Sequence, residues 1–362
     1  MRRRDIFTLL GGAAAWPVGA LAQQSDKLPR IGSIHTVQSE NSEAFFEGLR
    51  EAGYLDGQNA LLEARYSGGA LEGYDKFARE LVALNCNVIF ASSPYAVRAT
   101  MKATNVIPIV GVDLEDDPIA SGWAQNLARP GGNFTGIFLD LPELGGKQIE
   151  FLREAVPTVS RLAILWDATI GTAQFHATET ASRSAGITLQ SLPIKRAEDV
   201  DAAFEHAARE QVNGMIVLSS PLIYVQRSRI NNLALNNRLP TITLFTAFPK
   251  IGGLMAYGPH FPSMFVRAAN YVARILSGTK PSELPIERPS KFELVINLKT
   301  ANALGLKIPE TLLVRAGPGD RITILFAALH ESAFGTKRTS RCRSAMSAFG
   351  GKADMTRTCA DV

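Results

Sequence analysis

Serine hydroxyls occur in the same short motif at two places in the chain. Ser92-Ser93-Pro94 and Ser219-Ser220-Pro221 each follow a short apolar run. Serine before proline is typical of a helix start, where the hydroxyl caps free backbone N–H groups and the helix end carries a partial positive charge. Hydroxyls and N–H groups at a helix start also suit a bound carboxylate. The motif therefore predicts either two helix caps or two parts of an anion-binding site.

Polar and aromatic side chains also follow the other apolar runs of the chain. If those runs are parallel strands, a ligand binds beyond their carboxyl ends, so the residues just after each run are the candidates. Aspartates there would meet an ammonium group, and aromatic rings would form an apolar wall. Structural roles stay open, because His35 also fits as a packed strand-end residue and Asp167 as a loop cap. The candidate ligand-binding residues are His35, Thr36, Ser92, Ser93, Tyr95, Asp113, Asp167, Ser219, Ser220, Phe245, Thr246 and Tyr257.

Signatures of catalysis and metal binding are absent from the sequence. The motifs G-x-S-x-G, G-x-x-x-x-G-K-[ST] and H-E-x-x-H do not occur. The five histidines do not cluster, and of the three cysteines only Cys86 lies in the part with a globular pattern. We therefore predict no catalytic residue, no metal site and no cofactor. The formal net charge of +4 comes from the two ends of the chain, so it does not indicate a nucleic-acid partner.

Short β-branched runs alternate with helical patterns from Leu28 onwards. This alternation predicts parallel sheets that are covered by helices on both faces. The pattern restarts after Pro130–Pro142, which predicts two successive doubly wound α/β units of similar size. A later return of the chain predicts further crossings between the units, as in a hinged clamp. The predicted strands are Ile31–His35, Ala60–Tyr66, Val88–Ala91, Ile107–Val112, Leu162–Trp166, Ile187–Leu192, Met215–Leu218, Thr241–Leu244 and Phe292–Ile296.

The amino terminus has the three parts of a secretory signal. Arginines at positions 2–4 precede a short apolar run, and Ala20-Leu21-Ala22 forms a small-x-small cleavage site. Arg3-Arg4-Asp5-Ile6-Phe7 also resembles a twin-arginine export signal. We predict that residues 1–22 are a cleaved signal peptide and that the mature protein is periplasmic and begins near Gln23. An uncleaved amphipathic anchor is the alternative.

Stretches along most of the chain resemble one bacterial family. The sequence is similar to the substrate-binding proteins of ABC transporters, in the group related to tryptophan/tyrosine-type uptake systems. The resemblance covers roughly residues 1–316, and the combination of stretches is highly specific. The stretches that carry it are RRRDIFTLLGGAAAWP, FFEGLREAGYLDGQN, NLARPGGN, FTGIFLDLPELGGKQIEFL, RLAILWD, VLSSPLIY, GGLMAYGP and KFELVINLKTANALGLKIPETLLVRA.

The resemblance implies a type I periplasmic binding protein, with two parallel-sheet lobes joined by a multi-segment hinge and a ligand in the cleft. We expect lobe I at 28–138 plus 260–289, lobe II at 139–259 plus 290–316, and a disordered or unrelated tail at 317–362. The expected partners are a small molecule, such as an amino acid or carboxylate, and an inner-membrane ABC permease, and we expect a monomer. Where relatives commonly carry an acidic residue after Thr241–Leu244, this chain has Ala247, so its specificity could differ. A sensor subunit for a membrane receptor and an exported enzyme are the rival functions.

Overall fold

The computed structural model describes residues 28–113, 115–138, 142–314 and 323–324. The predicted signal peptide and most of the predicted tail lie outside the described residues. The strands are β1 (Arg30–His35), β2 (Leu61–Tyr66), β3 (Val88–Ala91), β4 (Ile109–Asp113), β5 (Phe134–Phe138), β6 (Arg161–Asp167), β7 (Thr188–Ile194), β8 (Gly214–Val217), β9 (Thr241–Thr243), β10 (Met255–Pro259), β11 (Phe292–Ile296) and β12 (Thr323–Ile324). The helices are α1 (Glu40–Glu51), α2 (Leu71–Ala83), α3 (Pro94–Ala103), α4 (Pro142–Ala155), α5 (Ala173–Ser184), α6 (Asp199–Arg209), α7 (Pro221–Val225), α8 (Arg227–Asn236), α9 (Ala247–Lys250), α10 (Phe261–Leu276), α11 (Leu298–Ala303) and α12 (Glu310–Val314).

Two sheets define two lobes with the same strand order. Lobe I is built on a five-stranded sheet of order β2-β1-β3-β4-β5, and all its pairs are parallel. Lobe II is built on a seven-stranded sheet, and read from the opposite edge its order is β7-β6-β8-β9-β10-β11-β12. In this topology the strand order reverses between the first and third strands of each lobe, and that reversal opens a crevice at their carboxyl ends. The predicted α/β fold with two parallel-sheet lobes is confirmed.

One pair of strands in lobe II departs from the parallel pattern. β10 and β11 are antiparallel, with Tyr257 opposite Leu294. The reason lies in the path of the chain, which leaves lobe II after β10, runs through α10 and returns along β11. Thr323 and Ile324, which the sequence places in the tail, pair with β11 as a short parallel strand. The edge of the lobe II sheet therefore includes two residues of the predicted tail.

Helix α10 packs on lobe I, although it follows a strand of lobe II. It lies across α1 and also contacts β3, β4 and β5. The two helices approach closely at Gly48, where an added Cβ atom would lie 2.9 Å from the Cβ of Ala269. Phe265 of α10 meets Phe90 of β3 edge-on, so the helix completes the core above this sheet. The positions in the chain at which each lobe begins and ends stay a prediction.

The core strands are buried on both faces. Every residue of β3, β4 and β8 is buried, as expected for parallel strands between two helix layers. Cys86 is also buried, and burial raises the pKa of its thiol to about 11, so it packs as a small apolar side chain. Within the part of the chain that the structure describes, no helix is both long and apolar enough to span a membrane.

Candidate ligand-binding site

A cavity lies between the lobes, beyond the carboxyl ends of β1, β3 and β8. Its volume is about 70 Å³, which is room for several groups the size of a water molecule, at roughly 10–15 Å³ each. Lobe I and α10 supply most of its wall, and lobe II supplies the start of α7 and the turn after β9. The residues that line it are His35, Thr36, Val37, Ser39, Asn41, Ser42, Ser92, Ser93, Pro94, Val112, Glu115, Ser220, Pro221, Tyr224, Phe245, Phe261 and Phe265.

Half of the predicted ligand-binding residues lie in this wall. They are His35, Thr36, Ser92, Ser93, Ser220 and Phe245. The structure brings them together because each follows a strand whose carboxyl end faces the other lobe. Whether these side chains touch a ligand stays a prediction.

Both Ser-Ser-Pro motifs begin a helix, and in each motif the second serine is a cap. The Oγ atom of Ser93 accepts a hydrogen bond from the N–H of Ala96 at 3.2 Å, and the Oγ atom of Ser220 accepts one from the N–H of Ile223 at 3.0 Å. Ser92 donates its hydroxyl proton to the carbonyl of Ile34 at 3.0 Å. The capping interpretation therefore holds for the second serine of each pair, and it leaves room for a ligand at the neighbouring N–H groups.

Free N–H groups remain at these helix starts. The N–H groups of Tyr95 and Leu222, one residue beyond each proline, make no hydrogen bond within the described part of the chain. At the start of α1, the N–H of Asn41 likewise has no partner among the residues described. Such orphan donors are intrinsic to helix starts, because the preceding turn that would accept from them is missing. Asn41 lines the cavity, and so do Pro94 and Pro221, the prolines that precede Tyr95 and Leu222.

Tyr95 and Asp167 do not line the cavity but join the two lobes beside it. The hydroxyl of Tyr95, on α3, donates to the Oδ2 atom of Asp167, at the end of β6, at 2.7 Å. The Oδ1 atom of Asp167 accepts from both the N–H and the hydroxyl of Thr169, at 2.9 Å and 2.6 Å. Only 1% of Asp167 is exposed, so its carboxylate is held by protein donors. The loop-cap alternative for Asp167 thus describes part of its role, and the contact with Tyr95 adds to it.

Ser219 and Glu115 form a second contact between the lobes. The hydroxyl of Ser219 donates to the Oε1 atom of Glu115, and the amide of Gln174 donates to the Oγ atom of Ser219 at 2.9 Å. A third contact is the ion pair of Lys250 with Glu40, at 2.6 Å, near the start of α1. The lobes therefore touch through hydrogen bonds and charges around the cavity.

Asp113 does not line the cavity. Its Oδ1 atom accepts from the N–H groups of Glu115 and Asp116, at 2.9 Å and 3.0 Å, so it caps the loop after β4. Burial and the charge of Asp116 raise the pKa of Asp113 well above its usual range. Asp116 in turn pairs with Arg98, whose Nε donates at 2.7 Å. The acidic side chain that faces the cavity after β4 is Glu115, which the sequence interpretation did not single out.

Two further predicted residues lie away from the cavity wall. Tyr257, on β10, packs between Phe151 and Phe292, with ring centroids 4.8 Å and 6.0 Å away. Thr246 is buried just before α9. The turn after β9 does reach the cavity, but through the ring of Phe245, which packs against Phe261 at 5.5 Å.

Several lining residues come from helix starts that the sequence interpretation passed over. Ser39, Asn41 and Ser42 belong to the first turn of α1, where Ser42 bonds to both backbone groups of Ser39. Phe261 and Phe265 come from α10, the helix that crosses back to lobe I. The spacing of a serine pair three residues apart before an apolar stripe was the available signal for α1. The position of α10 depends on the path of the chain between lobes, which periodicity does not show.

The wall of the cavity is acidic and aromatic. Of the described residues that line it, Glu115 alone carries a carboxylate, and none is a lysine or an arginine. Glu115 is 5% exposed. The rings of Tyr224, Phe245, Phe261 and Phe265 form the apolar part of the wall. The described residues contain no group of three or more His, Cys, Asp or Glu side chains placed to hold a metal ion.

Comparisons with known proteins agree with this architecture. The chain matches the family of ABC transporter substrate binding proteins over residues 34–319. A tyrosine-binding protein of Clostridioides difficile (strain R20291) is 21% identical over 291 residues, which cover 78% of this chain and 83% of that protein.

Solved structures show the same fold. A conserved domain protein from Vibrio cholerae O1 biovar El Tor has a TM-score of 0.74 at 24% identity, and the comparison covers 80% of this chain and 98% of the other. The ABC domain from Streptococcus pneumoniae, solved in complex with L-Trp, also has a TM-score of 0.74, at 22% identity over 80% of this chain and 98% of the other. The resemblance found in the sequence is thereby confirmed. Because the family match spans well over half of its length, this chain belongs to the family of ABC transporter substrate-binding proteins.

Proposed function

We propose that this protein captures a free amino acid with an aromatic side chain between its lobes and delivers it to the permease of an ABC importer in the inner membrane. The observation that carries the proposal is the composition of the cavity wall. Orphan N–H donors lie in the wall or next to it, and the described residues of the wall include one carboxylate and a set of aromatic rings. These three features are complementary to the carboxylate, the ammonium group and the side chain of an amino acid.

The ligand carboxylate is assigned to the start of α3. Pro94 lines the cavity there, and the N–H of Tyr95 next to it has no partner in the described part of the chain. The field of a helix end contributes about 0.3–2 kcal/mol to an anion. Each hydrogen bond to a charged group adds about 1.5–3 kcal/mol. These terms together are enough to hold a carboxylate without a basic side chain.

The ligand ammonium group is assigned to Glu115. Its carboxylate is nearly buried, accepts from Ser219 of lobe II and belongs to lobe I itself. A cation that binds here gains a charge-assisted contact in a cavity whose wall has no lysine or arginine among the described residues. Because Glu115 already contacts the other lobe, a ligand at this carboxylate would bind where the lobes meet.

The side chain of the ligand is assigned to the ring-lined wall of Tyr224, Phe245, Phe261 and Phe265. Offset or edge-on ring pairs add about 0.5–1.5 kcal/mol beyond the burial of apolar area. The relatives support an aromatic ligand, since one is named for tyrosine and one was solved with L-Trp. On this scheme the protein needs no catalytic group and acts as a monomer.

Proteins of this family work outside the cytoplasm, and export of this chain is assigned to residues 1–22. The small-x-small site at Ala20-Leu21-Ala22 supports cleavage before Gln23. Three arginines near the start support recognition by an export pathway, with the twin-arginine route as the candidate.

The proposal is tested with ligands that differ by one charged group. Isothermal titration calorimetry compares L-tyrosine with tyramine, which lacks the carboxylate, and with 3-(4-hydroxyphenyl)propionate, which lacks the ammonium group. We expect the complete amino acid to bind at least about tenfold more tightly than either analogue, since each analogue loses one charge-assisted contact. The same three ligands are then measured against Glu115→Gln, which should bind the deaminated acid nearly as well as the amino acid. Equal binding of all three ligands to the wild type, or no binding of any aromatic amino acid, would refute the proposed function.

A further inference from the structure

One polar side chain in the cavity wall stands out because it has no partner. His35 ends β1 and is 1% exposed, and both of its ring nitrogens lack a hydrogen-bond partner among the described residues. Four aromatic rings surround it, those of Phe45, Phe46, Tyr66 and Phe90, with centroids 5.4–5.9 Å away. An apolar residue would fit this cage better, so the polarity of the ring calls for an explanation in the cavity that it faces.

A second buried polar atom near the same end of the cavity also lacks a hydrogen-bond partner among the described residues. The Oδ1 atom of Asn41, in the first turn of α1, is buried and has no partner within the described residues. The other hydroxyl groups of this part of the wall are satisfied. Thr36 is hydrogen-bonded to the hydroxyl of Tyr74 at 3.0 Å, Ser92 to the carbonyl of Ile34, and Ser42 to the backbone of Ser39. Among the described residues that line the cavity, the buried side-chain atoms without a partner thus belong to His35 and Asn41.

The chemistry of these two side chains defines what would satisfy them. Burial lowers the pKa of His35 to about 3, so the ring is neutral at neutral pH and has one donor and one acceptor nitrogen. The Oδ1 atom of Asn41 is an acceptor. Two acceptors and one donor suit a group that donates a hydrogen bond, and they do not suit a carboxylate. The positive end of α1 disfavours an ammonium group there, and Glu115 provides a better place for it elsewhere in the wall.

We propose that His35 and Asn41 determine the specificity of the cavity by selecting ligands whose side chain carries a neutral hydrogen-bond donor, such as a hydroxyl, a ring N–H or an amide. This inference rests on the proposed capture of an amino acid. It adds that the protein recognises the side chain of the ligand, and that His35 and Asn41 recognise it. A ligand with a hydrocarbon side chain would leave both side chains without partners in the closed protein. A site built around hydrogen bonds rejects such an isostere far more strongly than an apolar pocket would.

The experiment uses ligand pairs that differ only in the donor. Calorimetry compares L-tyrosine with L-phenylalanine, and L-tryptophan with 3-(3-benzothienyl)-L-alanine, in which sulfur replaces the ring N–H. For the wild type we expect the member with the donor to bind at least about 100-fold more tightly in at least one pair. For His35→Phe this ratio should fall below about tenfold, chiefly because the hydrocarbon ligand binds better to a ring without nitrogen atoms. Asn41→Leu should lower the ratio as well.

A matched control and a second readout separate specificity from structure. His176→Phe changes the exposed histidine of α5 and should keep the wild-type ratio. Ligand-free His35→Phe should melt no lower than the wild type, since it removes unsatisfied polar atoms from a ring of aromatic side chains.

The possible outcomes separate this inference from the proposed function. If both members of each pair bind the wild type equally, the inference is overturned while amino-acid capture stands. If no member of either pair binds, the proposed function fails and the inference fails with it. Should His35→Phe not fold, His35 has a structural role that contradicts the inference, and the wild-type ratio still provides an independent check.

Discussion

The hydroxyl of Tyr95 offers a direct test of how the lobes close. It donates to the buried carboxylate of Asp167 at 2.7 Å, from α3 of lobe I to the end of β6 in lobe II. Tyr95→Phe removes this oxygen and keeps the ring in place. Because the two residues belong to different lobes, the bond exists only when the lobes are together, so the substitution destabilises the closed state and leaves the open state unchanged.

The size of the effect follows from the kind of hydrogen bond. A bond to a charged acceptor is worth about 1.5–3 kcal/mol, and every 1.4 kcal/mol is a factor of about ten in an equilibrium constant. When the open state predominates without ligand, the whole difference appears in the dissociation constant. We therefore expect Tyr95→Phe to raise the Kd of the ligand by about 10- to 150-fold, although Tyr95 does not line the cavity.

Calorimetry with the amino acid that binds the wild type most tightly in the tests above measures this change. Tyr271→Phe is the matched control, because the hydroxyl of Tyr271 donates to the carbonyl of Pro285 at 2.7 Å within the part of the chain that packs on lobe I. That variant should lose some thermal stability and keep the wild-type Kd. If Tyr95→Phe binds as tightly as Tyr271→Phe, the contact with Asp167 does not contribute to closure and the reasoning is wrong.

Two further predictions concern stability and export. Burial raises the pKa of Asp113 to about 7 from an ordinary value of about 4, so the folded state holds the proton of this carboxyl more tightly than the unfolded state does. The protonated carboxyl therefore stabilises the folded state at low pH, and this contribution to the free energy of unfolding is lost as the pH rises from about 4 through about 7. Asp113→Asn should accordingly show a smaller fall in melting temperature between pH 5 and pH 8 than the wild type, and an equal fall in both proteins would contradict this assignment. Amino-terminal sequencing of the exported protein should start near Gln23, and a sequence that still begins at Met1 would rule out cleavage at Ala22.

The nine strands that the sequence predicts are all present among the described residues, for a physical reason. Strands such as β3 and β8 are buried on both faces, so they read as short apolar runs, and helix starts such as Ser93-Pro94 and Ser220-Pro221 carry their own capping residues. These signals depend only on residues that are close together in the chain, so they can be recognised from the sequence. The antiparallel pairing of β10 with β11 was missed because it depends on where the chain returns after α10.

The site was harder to predict because it depends on contacts between distant segments. Asp113 and Asp167 lie at the ends of strands, where a ligand-binding carboxylate is expected. Their carboxylates instead accept hydrogen bonds from N–H groups of their own loops. Glu115, two residues beyond β4, faces the cavity instead. Sequence position identifies the edge of the sheet at which the cavity lies, and a shift of two residues decides whether a carboxylate caps a loop or lines that cavity.

The same carboxylates explain why closure would depend on the ligand. Asp167 and Glu115 lie on opposite lobes and are 1% and 5% exposed, so closing the lobes removes both from water. Removing an ionised group from water costs several kcal/mol in real proteins, and the hydrogen bonds from Tyr95 and Ser219 offset part of that cost. A ligand shifts the equilibrium only through its preference for the closed state. In the proposed scheme an ammonium group at Glu115 would supply such a preference, because it would make a charge-assisted contact with the carboxylate when the lobes close around it.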